Sequence, residues 1–261
     1  MADLPLLWAE RTAAEVRQAA AADALLILPV ASLEQHGPHL MTGTDIALAG
    51  AVALEVARRL EGRGCPALVL PTVWTGLAEH HMAFGGTVTL DSGVFLALLR
   101  GIVASAARGG FRRVLLLNGH GGNSEAIGTA ATELAVELGL HVAGCTYWQM
   151  VPEAIAPLLE RQDTLMHACE AETSLVWHLA PQGVRPERLA EAHGPMSTRG
   201  PGHPPGLLMR RSFREATASG VIGDARLAGP EKGAALLAAV AEAMAGVLAN
   251  PALWDQRRAE A

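Results

Sequence analysis

The chain has 261 residues and a formal net charge of -6, and half of its residues are apolar while few are aromatic. This acidic balance excludes the basic surface on which nucleic-acid binding and adsorption to anionic membranes depend, so neither partner is expected. The length is sufficient for one large α/β core, and no charge run or low-complexity linker divides it. We therefore predict a single domain over residues 1–261.

The ends of the chain and its cysteines indicate a cytoplasmic protein. Residues 1–18 mix acidic and basic side chains among apolar ones and lack the apolar core of a secretory signal. The Ala/Leu-rich segment 233–248 contains Glu242 and is too short to cross a bilayer, so it is predicted to be a packed helix. No CxxC pair and no disulfide framework is formed by Cys65, Cys145 and Cys169.

Short aliphatic runs alternate with helical patterns along the first 150 residues. Runs of this kind predict parallel strands, and the segments between them have the period of crossover helices. In chain order we predict a strand at 25–30, a helix at 45–60, a strand at 67–70, a helix at 92–108, a strand at 114–117, a helix at 123–138 and a strand at 141–146, with one more helix beginning near Glu170. This rhythm predicts an α/β fold with helices on both faces of the sheet.

Potential metal ligands follow two of the predicted strands. Glu34 and His36 come after the first strand, project to the same side of an extended backbone, and can be met by Asp45 across a short turn. His120 follows the third strand. Because ligands bind at the carboxyl ends of the strands in such sheets, we expect these side chains to converge. Carboxylates mixed with imidazoles suit zinc, manganese or iron.

The glycine-rich segment 119–123 suggests an alternative function, nucleotide binding. A glycine-rich turn before a helix can bind phosphate through free N–H groups, as in a nucleotide-binding module. The segment contains neither GxGxxG nor GxxxxGK[ST], and His120 occupies its middle. A metal-binding scaffold without catalysis is a further alternative.

Five sequence blocks occur in order between the first strand and the last helix. They are PVASLEQHGPHL at 29–40 with TD at 44–45, FGGT at 84–87, NGHGGN at 118–123, HACEAETS at 167–174 and GVIGD at 220–224. Together they resemble the signature blocks of the creatininase family of metal-dependent amidohydrolases. The resemblance implies a three-layer α/β/α fold with a mainly parallel sheet, two divalent metal ions with a bridging water, and a homo-oligomer, with a hexamer favoured.

The resemblance also implies roles for individual residues. Glu34 and His120 correspond to ligands of one ion, His36 to a ligand of the other, and Asp45 to the carboxylate that bridges both. Two ions about 3.5–4 Å apart lower the pKa of a shared water and polarise the carbonyl that it attacks. His167 corresponds to the family's proton-handling histidine and is expected to protonate the leaving nitrogen, with helix capping as the alternative.

One ligand of the family's namesake is missing. The namesake has glutamate where this chain has Gly122, and an apolar residue where this chain has Glu170. We therefore expect Glu170 to supply the lost carboxylate to the His36 ion. Glu172 is the rival ligand, and we expect it instead to act in catalysis by holding a ligand imidazole.

Weaker predictions concern residues around these motifs. His39 is expected to order a turn, and His80 and His81 to be solvated loop histidines. Trp148 either packs in the core or lies near the substrate. The Pro/Gly/His-rich loop 191–206 either borders the site or is a surface excursion.

The substrate is expected to differ from creatinine. The namesake's aromatic and acidic residues before its proton-handling histidine are replaced by Asp163-Thr164-Leu165-Met166, and a further aromatic residue is replaced by Gly121. Relatives with the Gly-Gly form include deformylases of pyrimidine intermediates and peptidases that trim a redox-cofactor precursor. The predicted reaction is hydrolysis of a C–N bond in a cyclic amide, a formamide, a small amide or a peptide.

Overall fold

The computed structural model describes residues 4–197, 209 and 211–255, and its elements alternate as the sequence predicts. The strands are β1 Leu25–Val30, β2 Ala67–Val69, β3 Arg113–Asn118 and β4 His141–Thr146. The helices are α1 Ala13–Ala21, α2 Thr44–Glu61, α3 Ser92–Arg108, α4 Ser124–Leu138, α5 Tyr147–Met150, α6 Pro152–Ile155, α7 Glu170–Leu179, α8 Phe213–Ala216, α9 Pro230–Leu248 and α10 Pro251–Trp254.

The four strands form one parallel sheet in the order β2-β1-β3-β4. Leu25 of β1 lies opposite Ala67 of β2 on one side and Arg113 of β3 on the other, and Arg113 pairs with His141 of β4. All six residues of β1 are buried, because a central parallel strand is covered on both faces and needs apolar side chains throughout.

Successive side chains of β1 enter two separate hydrophobic cores. Leu25 and Ile27 pack with residues of α2, α7 and α9, whereas Leu26 and Leu28 pack with residues of α1, α3 and α4. Burial of each such aliphatic side chain stabilises the fold by roughly 1.5–3 kcal/mol. Helices thus cover both faces of the sheet, and the predicted three-layer α/β/α fold is confirmed.

The carboxyl ends of β1 and β3 lie side by side, and this places the motif residues at one edge of the sheet. Val30 of β1 pairs with Asn118 of β3, so the chain after each strand enters the same region. Gly37 turns the first of these segments with a φ of 65°, and a Cβ at this position would lie 2.6 Å from Val221 Cγ2. Glycine is therefore required where the ligand-bearing loop packs against the segment after α8.

Several elements were not predicted from the sequence. They include α1, the short helices α5, α6, α8 and α10, and a 3-10 helix at Glu79–Phe84. Of the loop 191–206, residues 198–206 lie outside the described part of the chain. None of the helices in the described ranges combines the length and apolar character needed to span a bilayer.

Candidate metal centre

Four of the predicted ligands converge at the carboxyl edge of the sheet. Glu34 and His36 lie beyond β1, Asp45 lies in the first turn of α2, and His120 lies just beyond β3. Their exposed fractions are between 0% and 3%. Buried carboxylates are unfavourable unless they are paired with a positive charge or a metal ion, so this cluster indicates a functional site.

The first of two candidate ligand groups consists of Glu34, Asp45 and His120. His120 Nδ1 lies 3.0 Å from Glu34 Oε2 and 3.2 Å from Asp45 Oδ2. The other ring nitrogen, Nε2, lies 3.2 Å from the carbonyl oxygen of Leu77. Because a carbonyl only accepts hydrogen bonds, Nε2 carries a proton, and once Nδ1 is deprotonated for metal binding its lone pair faces the two carboxylates.

The second group joins His36, Asp45 and Glu172. His36 Nε2 lies 3.1 Å from Asp45 Oδ1 and 3.8 Å from Glu172 Oε2. Its Nδ1 donates to the carbonyl oxygen of Glu34 at 3.2 Å, so Nε2 is the nitrogen that can bind a metal ion when the ring is neutral. Asp45 belongs to both groups, with one carboxylate oxygen facing each imidazole.

The carboxylates of Glu34, Asp45 and Glu172 lie close together in the two ligand groups, and positive charge is needed to balance them. Within the described residues, both oxygens of Glu34, Nε2 of His36 and Oδ2 of Asp45 are buried without a hydrogen-bond partner. Burial lowers the pKa of His36 and of His120, but the surrounding carboxylates outweigh burial and raise each pKa to about 10. Protons on the imidazoles or divalent cations can supply the charge, and the donor set of oxygens and imidazole nitrogens fits a divalent metal ion.

The structure contradicts the predicted role of Glu170 as a metal ligand. Glu170 is fully buried, and its Oε1 forms an ion pair with Lys232 Nζ. The backbone N–H of Glu160 lies 3.2 Å from both carboxylate oxygens, and Lys232 also donates to the carbonyl oxygen of Leu227 at 2.8 Å. Glu172 faces the second ligand group instead.

Helix geometry explains this correction. Each residue of an α-helix is rotated by about 100° from the one before it, so side chains two positions apart project from nearly opposite sides of the helix. Glu170 and Glu172 therefore cannot reach the same ion.

The space around Gly122 explains why this chain has glycine where the namesake has glutamate. A Cβ on Gly122 would lie 2.2 Å from His120 Nε2 and 2.2 Å from the Leu77 carbonyl oxygen, between the two partners of a hydrogen bond that orients the ligand.

His167 lies beside the two ligand groups, where a proton-handling residue is expected. Its Nε2 donates to the carbonyl oxygen of Gln35 at 2.9 Å, and its Nδ1 lies 3.6 Å from Glu34 Oε1. Burial, together with the nearby His36, holds the pKa of His167 well below its usual range. The neutral ring therefore has a lone pair on Nδ1 at the wall of the cavity.

Two histidines predicted to be solvated are part of the site. His81 is 1% exposed, and its Nε2 lies 3.2 Å from Glu34 Oε1. The ring of His80 is stacked 5.7 Å from that of His120. Neither contact was visible from the sequence, because both depend on the 3-10 helix Glu79–Phe84 turning this segment inward.

The remaining predicted residues lie around the centre. His39 is buried outside both ligand groups, with Nε2 2.7 Å from Thr173 Oγ1, so it joins the ligand loop to α7. Trp148 is largely buried and lines the cavity. Sequence reasoning missed Phe213, whose ring packs edge-to-face on His167 with centroids 4.9 Å apart.

A cavity of about 520 Å³ opens above these groups. Its floor contains Glu34, Asp45, His120 and Glu172, which are polar. Its walls are largely aromatic and aliphatic, with residues that include Trp148, Leu165, Met166, Met196, Phe213 and Ile222. An apolar pocket with convergent polar groups is the usual form of a site for a small molecule.

Comparison with known proteins shows the family of this chain. The family model described as creatinine amidohydrolase matches residues 9–248. Creatinine amidohydrolase of Pseudomonas putida is 31% identical over 93% of this chain and 94% of its own length. The mycofactocin precursor peptide peptidase of Mycobacterium tuberculosis is 31% identical over 83% of this chain and 81% of its own length.

Solved structures agree with this assignment. A crystal structure of creatininase superposes with a TM-score of 0.80 at 31% identity and covers 94% of this chain and 97% of the other. Similar matches are a form titled "Creatininase Mn", with a TM-score of 0.80, and a mutant form of "Zn-Zn type", with a TM-score of 0.79; both are 29% identical and cover 94% of this chain and 98% of the other. The chain belongs to the creatininase family, which confirms the predicted family and its class, hydrolases that act on carbon–nitrogen bonds.

Proposed function

We propose that this chain is a binuclear metal amidohydrolase that hydrolyses the C–N bond of a small amide, a formamide or a peptide. The observation that carries the proposal is the pair of ligand groups that share Asp45, because a bridging carboxylate is the means of holding two ions at one water. Glu34 and His120 complete one group, and His36 and Glu172 complete the other.

Divalent ions held by these residues would lower the pKa of a water and polarise a carbonyl oxygen. Creatininase structures described as manganese and Zn-Zn forms support manganese or zinc for these donors, and iron suits the same donor set. The ligand residues are buried at the floor of the cavity, which leaves room above them for a substrate.

His167 moves the proton. Its Nδ1 lone pair faces Glu34 at the cavity wall, so it can take a proton from the attacking water and give it to the nitrogen of the scissile bond. The carbonyl carbon gains the hydroxyl oxygen, the C–N bond breaks, and the nitrogen leaves as a neutral amine. Glu172 acts in this scheme as a metal ligand, not as an acid or a base.

The cavity favours a substrate larger than a single small ring. Gly121 lines the cavity, and among the described residues a Cβ at this position would meet no atom within 4 Å, so residue 121 itself adds no side chain to the pocket. The precursor peptide peptidase that resembles this chain is named for a peptide substrate. Peptide-end hydrolysis is therefore the second candidate function, beside hydrolysis of a small cyclic amide or formamide.

Assembly and location remain predictions. We infer a homo-oligomer, with a hexamer favoured, in the cytoplasm. Val94 and Leu98 on α3 and Val136 on α4 are exposed, and contact with a second copy would cover such side chains.

Removal of Asp45 is the test of the metal centre. The wild-type protein should hold up to two divalent ions per chain by plasma emission and should turn over at least one member of a panel of cyclic amides, formamides and short peptides. Asp45→Ala should hold neither ion and show no turnover, because both groups lose a ligand. Asp91→Ala, which removes an exposed carboxylate that makes no capping hydrogen bond at the N-terminus of α3, is the matched control. Full metal content in Asp45→Ala would refute the bridging role, and a metal-loaded wild type inert on the whole panel would refute the hydrolase.

A further inference from the structure

Gln35 lies between two ligands of the proposed metal centre and is 7% exposed. Its side-chain oxygen accepts a hydrogen bond from the backbone N–H of Gly37 at 2.9 Å, which fixes which end of the amide is nitrogen. The nitrogen lies 3.2 Å from the carbonyl oxygen of Gly220. A Cβ on Gly220, which has a φ of 81°, would lie 2.2 Å from the amide oxygen, so the chain is shaped around this side chain.

The amide nitrogen of Gln35 also lies 2.9 Å from His81 Nδ1 and 2.9 Å from His167 Nε2. The amide nitrogen carries only two hydrogens, whereas three neighbouring atoms lie within hydrogen-bond distance of it, on His81, His167 and Gly220. His167 Nε2 already donates to the Gln35 carbonyl oxygen, so it does not accept from the amide. One amide hydrogen therefore goes to Gly220 and the other to His81, whose Nδ1 must be the unprotonated nitrogen.

Gln35 therefore sets both imidazoles to the tautomer that is protonated on Nε2. It acts on His81 through its side chain and on His167 through its main-chain carbonyl. The two rings meet a single atom, Glu34 Oε1, in opposite ways. The protonated Nε2 of His81 lies 3.2 Å from it, and the unprotonated Nδ1 of His167 lies 3.6 Å from it. The rings of the two histidines are themselves 4.5 Å apart.

We propose that Gln35 is a positioning residue that fixes the tautomers of His81 and His167, so that His81 presents an N–H and His167 a lone pair at the Glu34 carboxylate. The inference rests on the proposed function, because the lone pair of His167 is the group that would take the proton. His81 supports Glu34 by placing a partial positive charge beside an oxygen that has no other hydrogen-bond partner among the described residues.

Substitution of Gln35 separates this role from metal binding and from packing. Gln35→Met keeps the length of the side chain and removes all of its hydrogen bonds. Gln35→Glu keeps the shape and the acceptor for Gly37 but has no N–H for His81. Gln162→Met is the matched control, because Gln162 is also 7% exposed and its amide donates to the Thr164 carbonyl oxygen instead.

The first measurement is the tautomer of each histidine, from long-range proton–nitrogen NMR spectra of the metal-free and zinc-loaded proteins. His81 and His167 should both be protonated on Nε2 in the wild type and in Gln162→Met. In Gln35→Met and Gln35→Glu, His81 should shift toward protonation on Nδ1. An unchanged His81 tautomer in both Gln35 variants would overturn the proposal. Because the NMR measurement does not depend on turnover, its result can be distinguished from a failure of the proposed hydrolase activity.

The second measurement is turnover at known metal content. The kcat of Gln35→Met should fall by about 10–100-fold while two ions remain bound and KM changes little, because His81 no longer presents an N–H to Glu34, whereas His167 keeps its main-chain partner. Loss of the ions together with activity would overturn the proposal, because it would show that Gln35 acts by placing Glu34 and His36 rather than the two imidazoles. An unchanged kcat would overturn it as well.

Discussion

Glu170 and Glu172 stand two residues apart in the first turn of α7, and both are buried, but they have opposite surroundings. Glu170 is neutralised within the chain by Lys232, which also binds Glu160 at 2.9 Å. Glu172 faces His36 and Asp45, and its Oε2 lies 3.8 Å from His36 Nε2. A lysine of the chain supplies the cation in the first case, whereas a proton on His36 or a bound divalent ion supplies it in the second.

This difference distinguishes a structural charge from a functional one. Removal of a carboxylate from water costs several kcal/mol, which a well-formed ion pair offsets. Burial raises the pKa of Glu172 to about 8 even though His36 opposes the shift. A buried carboxylate with a raised pKa at the wall of a cavity is characteristic of a functional site.

Substitution of Glu172 is expected to have the largest effect. Glu172→Gln removes the charge that holds the ion of the His36 group and should lower kcat by more than about 100-fold, which exceeds the range typical of residues that only orient a ligand. Plasma emission should show one ion in place of two. Glu170→Gln serves as the control on the same helical turn, and a Glu172→Gln protein that keeps both ions at wild-type affinity would refute the assignment.

Substitution of Glu170 is expected to change stability and to leave metal content unchanged. Glu170→Gln leaves Lys232 without its buried partner, and because the lysine side chain is 18% exposed, the expected loss is about 2 kcal/mol in the free energy of unfolding. Lys232→Met should cost more, about 3 kcal/mol, because the carboxylate left behind is fully buried. Urea unfolding measures both values, and loss of an ion from Glu170→Gln with no change in stability would reverse the comparison.

The pH dependence of the metal-free protein is expected to give the smallest effect. The pKa of His36 and of His120 is raised from 6.5 to about 10 in the fold, so protonation of these rings stabilises the fold fully below pH 6.5. This stability is lost as the pH rises toward about 10. The urea midpoint of chelator-treated protein should fall across that window, whereas bound zinc or manganese should remove the fall. A flat midpoint in the metal-free protein would contradict this expectation.

The regular elements were predictable because their signals are local. The aliphatic run of β1 and the 3.6-residue periodicity of α3 identify these elements with their bounds, and parallel pairing then places Glu34, His36 and His120 at one edge. Their convergence with Asp45 follows from topology alone, so the centre of the site could be inferred without coordinates.

The fifth ligand could not be predicted in the same way. A choice between Glu170 and Glu172 depends on the rotation of α7 about its axis and on Lys232, which lies 62 residues further along the chain. His81 was missed for a similar reason, since only the 3-10 turn buries it. Gly122 was interpreted as the replacement of a ligand of the namesake, and only the structure shows that Leu77 and His120 also leave no space for a side chain there.

The contact between Gly220 and Gln35 joins residues that are 185 positions apart in the sequence. A ribosome releases the loop with Glu34 and His36 well before the segment that holds Gln35 in place and the lysine that neutralises Glu170. Contacts of such long separation form late in folding, because closing the loop between them costs chain entropy. A nascent chain that ends before Gly220 therefore contains both ligand groups but lacks the contact that holds the Gln35 side chain in place.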